Sequence, residues 1–123
     1  MYDPCVPTLA ACYPKPPLHE RDLLGCADAN RLEGLFKTLA NETRLRLLHA
    51  LVRAGELCVT DLSATIGMKP QAVSNQLQRL TDKGILGSRR NGTQVYYRIV
   101  DPCVVTLLDY GLCLSEDAAM RTR

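Results

Sequence analysis

The sequence is short of several things, and each shortage removes a class of function. No apolar run approaches the roughly 18 residues that a membrane span requires, so no membrane partner is expected. The N-terminus reads Met-Tyr-Asp-Pro-Cys, without the basic region and apolar run of a secretory leader, which predicts a cytoplasmic protein. Histidine is scarce: His19 and His49 are the two in 123 residues. That argues against Ni(II), Co(II) and the usual mixed cysteine–histidine Zn(II) sites. There is no Cys-x-x-Cys, and both histidines sit in segments unrelated to the cysteines. A thiol-dependent enzyme, whose nucleophile needs such a neighbour, is therefore set aside, and no catalytic residue is assigned. The net charge of +2 is too small to argue for nucleic acid by itself; the distribution of charge must do so.

What the chain does have is cysteine: six residues, at positions 5, 12, 26, 58, 103 and 113. In a secreted protein an even number suggests disulfides. In the cytosol disulfides are rare. The remaining readings are metal ligation, redox sensing, or a buried cysteine acting as a small apolar side chain.

Three regions follow from the order of residues. Residues 1–25 hold Pro4, Pro7, Pro14, Pro16 and Pro17 and read as an irregular arm, because proline fixes φ and removes a donor. Residues 26–114 read as one folded domain, and 115–123 as a polar, fraying tail. Within the domain, Leu32, Leu35, Phe36 and Leu39 give a first helix an apolar face. Asn41 caps a second helix whose core face is read as Leu45, Leu48, Leu51 and Val52. Leu57-Cys58-Val59-Thr60 is a short β-rich run. Thr60 or Asp61 then caps a short helix to Ile66, Gly67 breaks it, and Pro70 opens another that ends near Gly84. Two strands, 85–88 and 94–100, are joined by Arg89-Arg90-Asn91-Gly92-Thr93, a hairpin signal. A last helix follows Pro102 to about Leu114, with Val104, Leu107, Leu108 and Leu112 as its stripe.

The helix after Pro70 carries the functional argument. At about 100° per residue, Gln71, Ser74, Asn75 and Gln78 fall within an arc of roughly 100°, opposite Val73, Leu77 and Leu80. Amides and hydroxyls both donate and accept, and Gln or Asn pairs with adenine in the major groove. Lys69 and Arg79 flank the face and can reach phosphates, and Arg89 and Arg90 stand in the hairpin. The fold class expected is mainly α with a small β-wing (α+β), a winged helix-turn-helix that reads double-stranded DNA.

With these parts in place the chain resembles the ArsR/SmtB family of metal-responsive winged-helix repressors. The resemblance rests on Phe-Lys-Thr-Leu-Ala-Asn-Glu-Thr-Arg-Leu-Arg-Leu-Leu (36–48), Glu-Leu-Cys-Val-Thr-Asp-Leu (56–62), Gln-Ala-Val-Ser-Asn-Gln-Leu (71–77) and Gly-Thr-Gln-Val-Tyr-Tyr-Arg (92–98). It implies a homodimer through the first and last helices, an inverted-repeat operator, and release of that operator when a metal binds. The family's cadmium, lead and arsenic sensors often carry Glu-Leu-Cys-Val-Cys-Asp-Leu; here Thr60 replaces the second cysteine. Another family site begins Asp-x-His on the last helix; here the text is Asp101-Pro102-Cys103.

Cys58 therefore needs sulfur from elsewhere. If its strand pairs antiparallel with the second wing strand, Leu57-Cys58 would lie near Ile99 to Asp101, and Cys103 follows two residues later. A third thiolate would come from Cys26 or Cys12, with Cys5 and Cys113 ranked lower. Cys103 and Cys113 lie about 15 Å apart along one helix, so they cannot chelate one ion from the same chain. Two or three thiolates favour soft ions. The inducer expected is Hg(II) or As(III), ahead of Cd(II) or Pb(II). The competing readings are a thiol redox sensor on the same scaffold, or a DNA-binding module with no ligand.

Overall fold

The computed structural model describes residues 15–121. Cys5, Cys12 and most of the expected arm lie outside them. The described chain divides into two units, Lys15–Val100 and one to which the residues from Asp101 belong.

The larger unit begins with a single 3-10 turn, Leu18–Glu20, and then four helices: α1 (Cys26–Leu39), α2 (Glu42–Ala54), α3 (Val59–Ile66) and α4 (Pro70–Asp82). Strand β1 (Leu57–Cys58) precedes α3, and β2 (Leu86–Asn91) and β3 (Gln94–Ile99) follow α4. The sheet order is β1-β3-β2, antiparallel throughout. Four helices with a small three-stranded sheet form the winged helix-turn-helix expected from the sequence.

The core of this unit is leucine-rich. Leu47, Leu48, Leu51, Leu62, Val73, Leu77 and Leu80 are the largest fully buried side chains. They come from α2, α3 and α4, which pack on one another, while α4 also packs on β2 and α2 on β3. The expected face of α2 needs correction. Leu45 and Val52 are 39% and 41% exposed, whereas Leu47, Leu48, Ala50 and Leu51 are buried. A helix this rich in leucine fits the three- and four-residue repeat in more than one register. Packing on three neighbours selects the arc centred between Leu47 and Leu51. On α1 only Thr38 and Leu39 are buried, and Phe36 stays 47% exposed.

Local chemistry moves other boundaries. Asn41 caps α2 as expected, its side chain accepting from the Arg44 amide at 3.1 Å. Helix α3 starts at Val59, not after Thr60 or Asp61, because extended Cys58 occupies the N-cap. Gly67 ends α3 in the left-handed region, φ 79° and ψ 34°, which favours glycine. The Gly67 and Met68 amides both return to the Ser63 carbonyl. Pro70 opens α4 at its first turn, where no amide is required. In the hairpin, β2 runs on through Arg89 and Arg90, leaving Gly92-Thr93 as the turn. Gly92 has φ +67°, the requirement at the first central position of a tight hairpin turn.

In the smaller unit, α5 runs Pro102–Arg121. It is longer than expected, because nothing between Leu114 and Arg121 breaks a helix; Ser115 to Arg121 are helical, not frayed. The Asp101 carboxylate accepts from the Cys103 amide at 2.9 Å and so caps the helix beside Pro102. Of its stripe Val104 is buried, and Leu112 is 61% exposed.

The corrected face of α2 is testable by urea unfolding. Leu47→Ala should cost about 2–5 kcal/mol, the usual range for emptying a filled core site. Val52→Ala should cost less than about 1 kcal/mol, as at a surface position. Equal losses would restore the face read from the sequence.

Candidate nucleic-acid interface and thiol positions

The exposed face of α4 is set by what α4 buries. Val73, Leu77 and Leu80 are fully covered, which turns Gln71, Asn75 and Gln78 outward. Ser74 is half-buried and offers less of itself than its position on the arc suggested. The amides are mutually ordered. Gln71 Nε2 donates to Asn75 Oδ1 at 3.1 Å, and Gln78 Nε2 donates to Asp82 Oδ1 at 2.9 Å. Gln71 and Gln78 each keep one N–H and Asn75 keeps both, with acceptor capacity to spare, so a bidentate contact to a base edge remains available. Lys69 stands at the N-cap of α4, and Arg79 is exposed near its end. The helix N-terminus also leaves backbone amides pointing outward, which suits phosphate.

The wing divides its two arginines. Both lie in β2, not in the turn, and neighbouring residues on a strand face opposite ways. Arg89 stands opposite Tyr96, which in turn stands opposite Cys58. Its guanidinium lies over the Tyr96 ring, 5.0 Å from the centroid, a cation–π distance. It reaches across β3 to Glu56, with nitrogen–oxygen distances of 2.6, 2.9 and 3.0 Å. The guanidinium beside it holds the Glu56 carboxyl below the usual carboxylate range, and Glu56 raises Arg89 in return. Arg90 lies on the other face, shared with Leu86, which is buried where β2 packs on α4. It is exposed, and among the described residues it makes no ion pair. Arg90 thus has the free charge, and Arg89 is already engaged.

Two residues outside the expected set, Arg44 of α2 and Gln76 of α4, tie α4 to its neighbours. Arg44 Nε donates to Gln76 Oε1 at 2.7 Å, and Arg44 Nη1 donates to the Thr38 carbonyl at 3.0 Å. Arg44 thereby joins the end of α1 to the flank of α4. Its position one turn after a capping asparagine was the only sequence signal, and it does not name Gln76. Glu56 was likewise legible only as a neighbour of β1.

The cysteines are dispersed. Cys58 is buried, and its thiol donates to Asp61 Oδ2 at 3.2 Å. The expected strand pairing forms, but in another register. Leu57 faces Tyr97 and Cys58 faces Tyr96, not Ile99 to Asp101, because β1 ends at Cys58 where α3 begins. Cys58 and Cys103 belong to different units. Cys26 is a free, exposed thiol in the first turn of α1. Cys103 and Cys113, both on α5, are disulfide-bonded, so neither is a thiolate in this state. Among the described residues no three Cys, His, Asp or Glu side chains are grouped to hold an ion. No helix among them is long and apolar enough to cross a membrane.

Comparison with known proteins agrees with this architecture. The model of the bacterial regulatory protein, arsR family, matches residues 41–88, which contain α2, α3 and α4. The cadmium resistance transcriptional regulatory protein CadC of Listeria innocua is 34% identical over 90 residues, covering 73% of this chain and 76% of that protein. The crystal structure of the AntR antimony-specific transcriptional repressor is 62% identical, with a TM-score of 0.75, over 89% of this chain and 99% of that one. The homodimeric winged helix-turn-helix domain of Mb0332 from Mycobacterium bovis is 32% identical, with a TM-score of 0.67, over 74% and 83%. With the buried face of α2–α4, the exposed amides of α4 and the wing all in place, this chain belongs to the ArsR/SmtB family of bacterial transcriptional regulators.

Proposed function

We propose that this protein is a soft-metalloid-responsive repressor. As a homodimer it binds an inverted-repeat operator through α4, and it leaves when its cysteine thiolates take up a trivalent ion, Sb(III) or As(III). It acts in the cytoplasm on double-stranded DNA and performs no catalysis. One observation carries the reading: an ordered, exposed amide face on α4 in a chain 62% identical to an antimony-specific repressor. CadC, a cadmium-resistance regulator, supports a soft thiophilic inducer more generally.

Sb(III) and As(III) share a valence shell and a preference for three thiolates, so the As(III) half of the expectation extends naturally to antimony. Hg(II) has the same softness but only two-fold demand. The thiolates proposed are those of Cys103 and Cys113, which stand too far apart along α5 to meet on one ion within a chain and so act with other sulfurs. A disulfide requires a second sulfur at bonding distance, so on reduction each of these two has a thiol beside it. Cys58 is a weaker ligand than the sequence suggested. Its sulfur is buried, it already serves the Asp61 carboxylate, and Thr60 supplies no second thiol. Cys26, and the expected Cys12 and Cys5, remain candidate additional ligands.

That Cys103 and Cys113 are each disulfide-bonded favours one second reading, a repressor released by thiol oxidation. The two are separated by titrating the fully reduced protein with Sb(III), As(III) and Hg(II) while following ultraviolet thiolate-to-metal absorption. Saturation near stoichiometry with Sb(III) or As(III), lost in Cys103→Ser and Cys113→Ser and kept in Cys58→Ser, is the expected result. Operator release by peroxide alone, with no response to any of the three ions, would establish the redox reading instead.

The DNA contacts are tested by binding to operator and random duplexes across a salt series. A Gln71→Ala/Asn75→Ala variant should lose sequence discrimination, at about 1–3 kcal/mol per bidentate contact. Arg90→Ala should weaken binding to every duplex and lower the salt slope by about 1, the signature of one phosphate contact. Arg89→Ala should change that slope less than Arg90→Ala does. A double variant that still selects its operator would remove α4 from the role of reader.

A further inference from the structure

Helix α4 is held against the core by valine and leucine. Such contacts are non-directional, and they fix which face is inward better than they fix the exact rotation. A helix with its side chains has a radius of about 5–6 Å, so a rotation of about 20° displaces a side-chain tip by roughly 2 Å. Hydrogen bonds to base edges tolerate only a few tenths of an ångström around 2.9 Å. Reading DNA therefore demands a directional constraint on α4 that its apolar face does not provide.

Arg44 and Gln76 supply such a constraint. Gln76 lies on the flank of α4, between the buried Leu77 and the exposed Asn75, and is itself half-buried. Its Oε1 accepts from Arg44 Nε at 2.7 Å, across 32 residues of sequence. The same guanidinium donates to the Thr38 carbonyl at 3.0 Å, one of the last of α1, which has no acceptor duty within its own helix. Each end of this link is anchored. Thr38 is 7% exposed, and its hydroxyl donates to the Gly34 carbonyl at 2.9 Å. The Arg44 amide is tied to the Asn41 cap at 3.1 Å. A planar guanidinium with donors in fixed directions can serve both acceptors at once, which a lysine ammonium on a flexible stem does not.

We propose that Arg44 is a positioning residue for DNA reading: through Gln76 it pins the rotation of α4, and it references that rotation to the carboxyl end of α1. The proposal rests on the reading of α4 as the recognition helix. Arg44 and Gln76 need touch no base for this; they set where Gln71, Asn75 and Gln78 point.

The test uses the reduced full-length protein and an inverted repeat selected by the wild type from a random duplex pool. Fluorescence anisotropy gives the ratio of affinities for the selected and a scrambled duplex, and urea unfolding is run in parallel. Gln76→Ala, at a partly exposed position, should keep the fold and the scrambled-duplex affinity while the ratio drops roughly tenfold, the order of one lost base contact. Arg44→Lys should lower the ratio similarly. Gln76→Glu keeps an acceptor for Arg44 and should keep the ratio, even though its added charge weakens binding to both duplexes. A ratio within twofold of wild type in Gln76→Ala overturns the pin, as does an equal loss in Gln76→Glu. A wild type that selects no sequence at all overturns the reading of α4 and the pin with it.

Discussion

The burial of one side of α4 is the constraint on which the rest depends. Val73, Leu77 and Leu80 have no exposed surface, and they meet an equally buried set on α2 and α3. Because these residues recur at three- and four-residue spacing, burying them leaves the opposite arc of the helix to solvent. That arc carries Gln71, Asn75 and Gln78, whose amides can both give and take hydrogen bonds. The Gly67 turn and Pro70 bring α4 in at an angle to α3, and β2 covers part of its inner side. A charged arc would have bound any duplex by electrostatics. An amide arc has little to offer except to bases presented in a matching pattern.

The polar links refine that arrangement. Arg44 joins α1, the cap of α2 and Gln76 of α4, and Glu56 stretches Arg89 across the sheet beneath which Tyr97 is buried. The two links differ in consequence. Arg44 sits where it can control orientation, while Glu56 neutralises a positive charge on the outer face of the wing. Of two adjacent arginines, alternation along β2 leaves Arg90 on the side of α4 with its charge free. A count of basic residues near a hairpin therefore overstates how many positive charges stand free.

How much of this was legible in the sequence depends on whether the cause was local. The cap at Asn41, the break at Gly67, the proline start of α4 and the turn at Gly92 are decided by residues within a few positions, and all were readable. The amide arc was readable because helical geometry alone places it. The core face of α2 was not, since leucines at 45, 47, 48 and 51 satisfy more than one helical register and only the neighbouring elements choose among them. The strand register at Cys58 was misplaced for a similar reason: β1 is two residues long and ends where α3 begins, so its length could not be inferred from β-propensity. Arg44–Gln76 and Glu56–Arg89 join residues more than thirty positions apart, and no local pattern announces them.

The thiols were the least legible, because a ligand set is a property of space and not of spacing. The sequence drew attention to Cys58, which lies inside the family's motif, yet Cys58 is buried against Asp61 with Thr60 beside it, and the bonded sulfurs are on α5. In the proposed switch, an ordered amide face on α4 holds an operator until thiolates elsewhere in the chain take up a soft trivalent ion. The most direct measurement is anisotropy of a fluorescent operator duplex bound to the reduced wild-type protein, titrated with Sb(III) under anaerobic conditions. Loss of the complex near one ion per site, reversed by an excess of a competing dithiol, is the predicted result. A complex that survives saturating Sb(III) and As(III) unchanged would contradict the account.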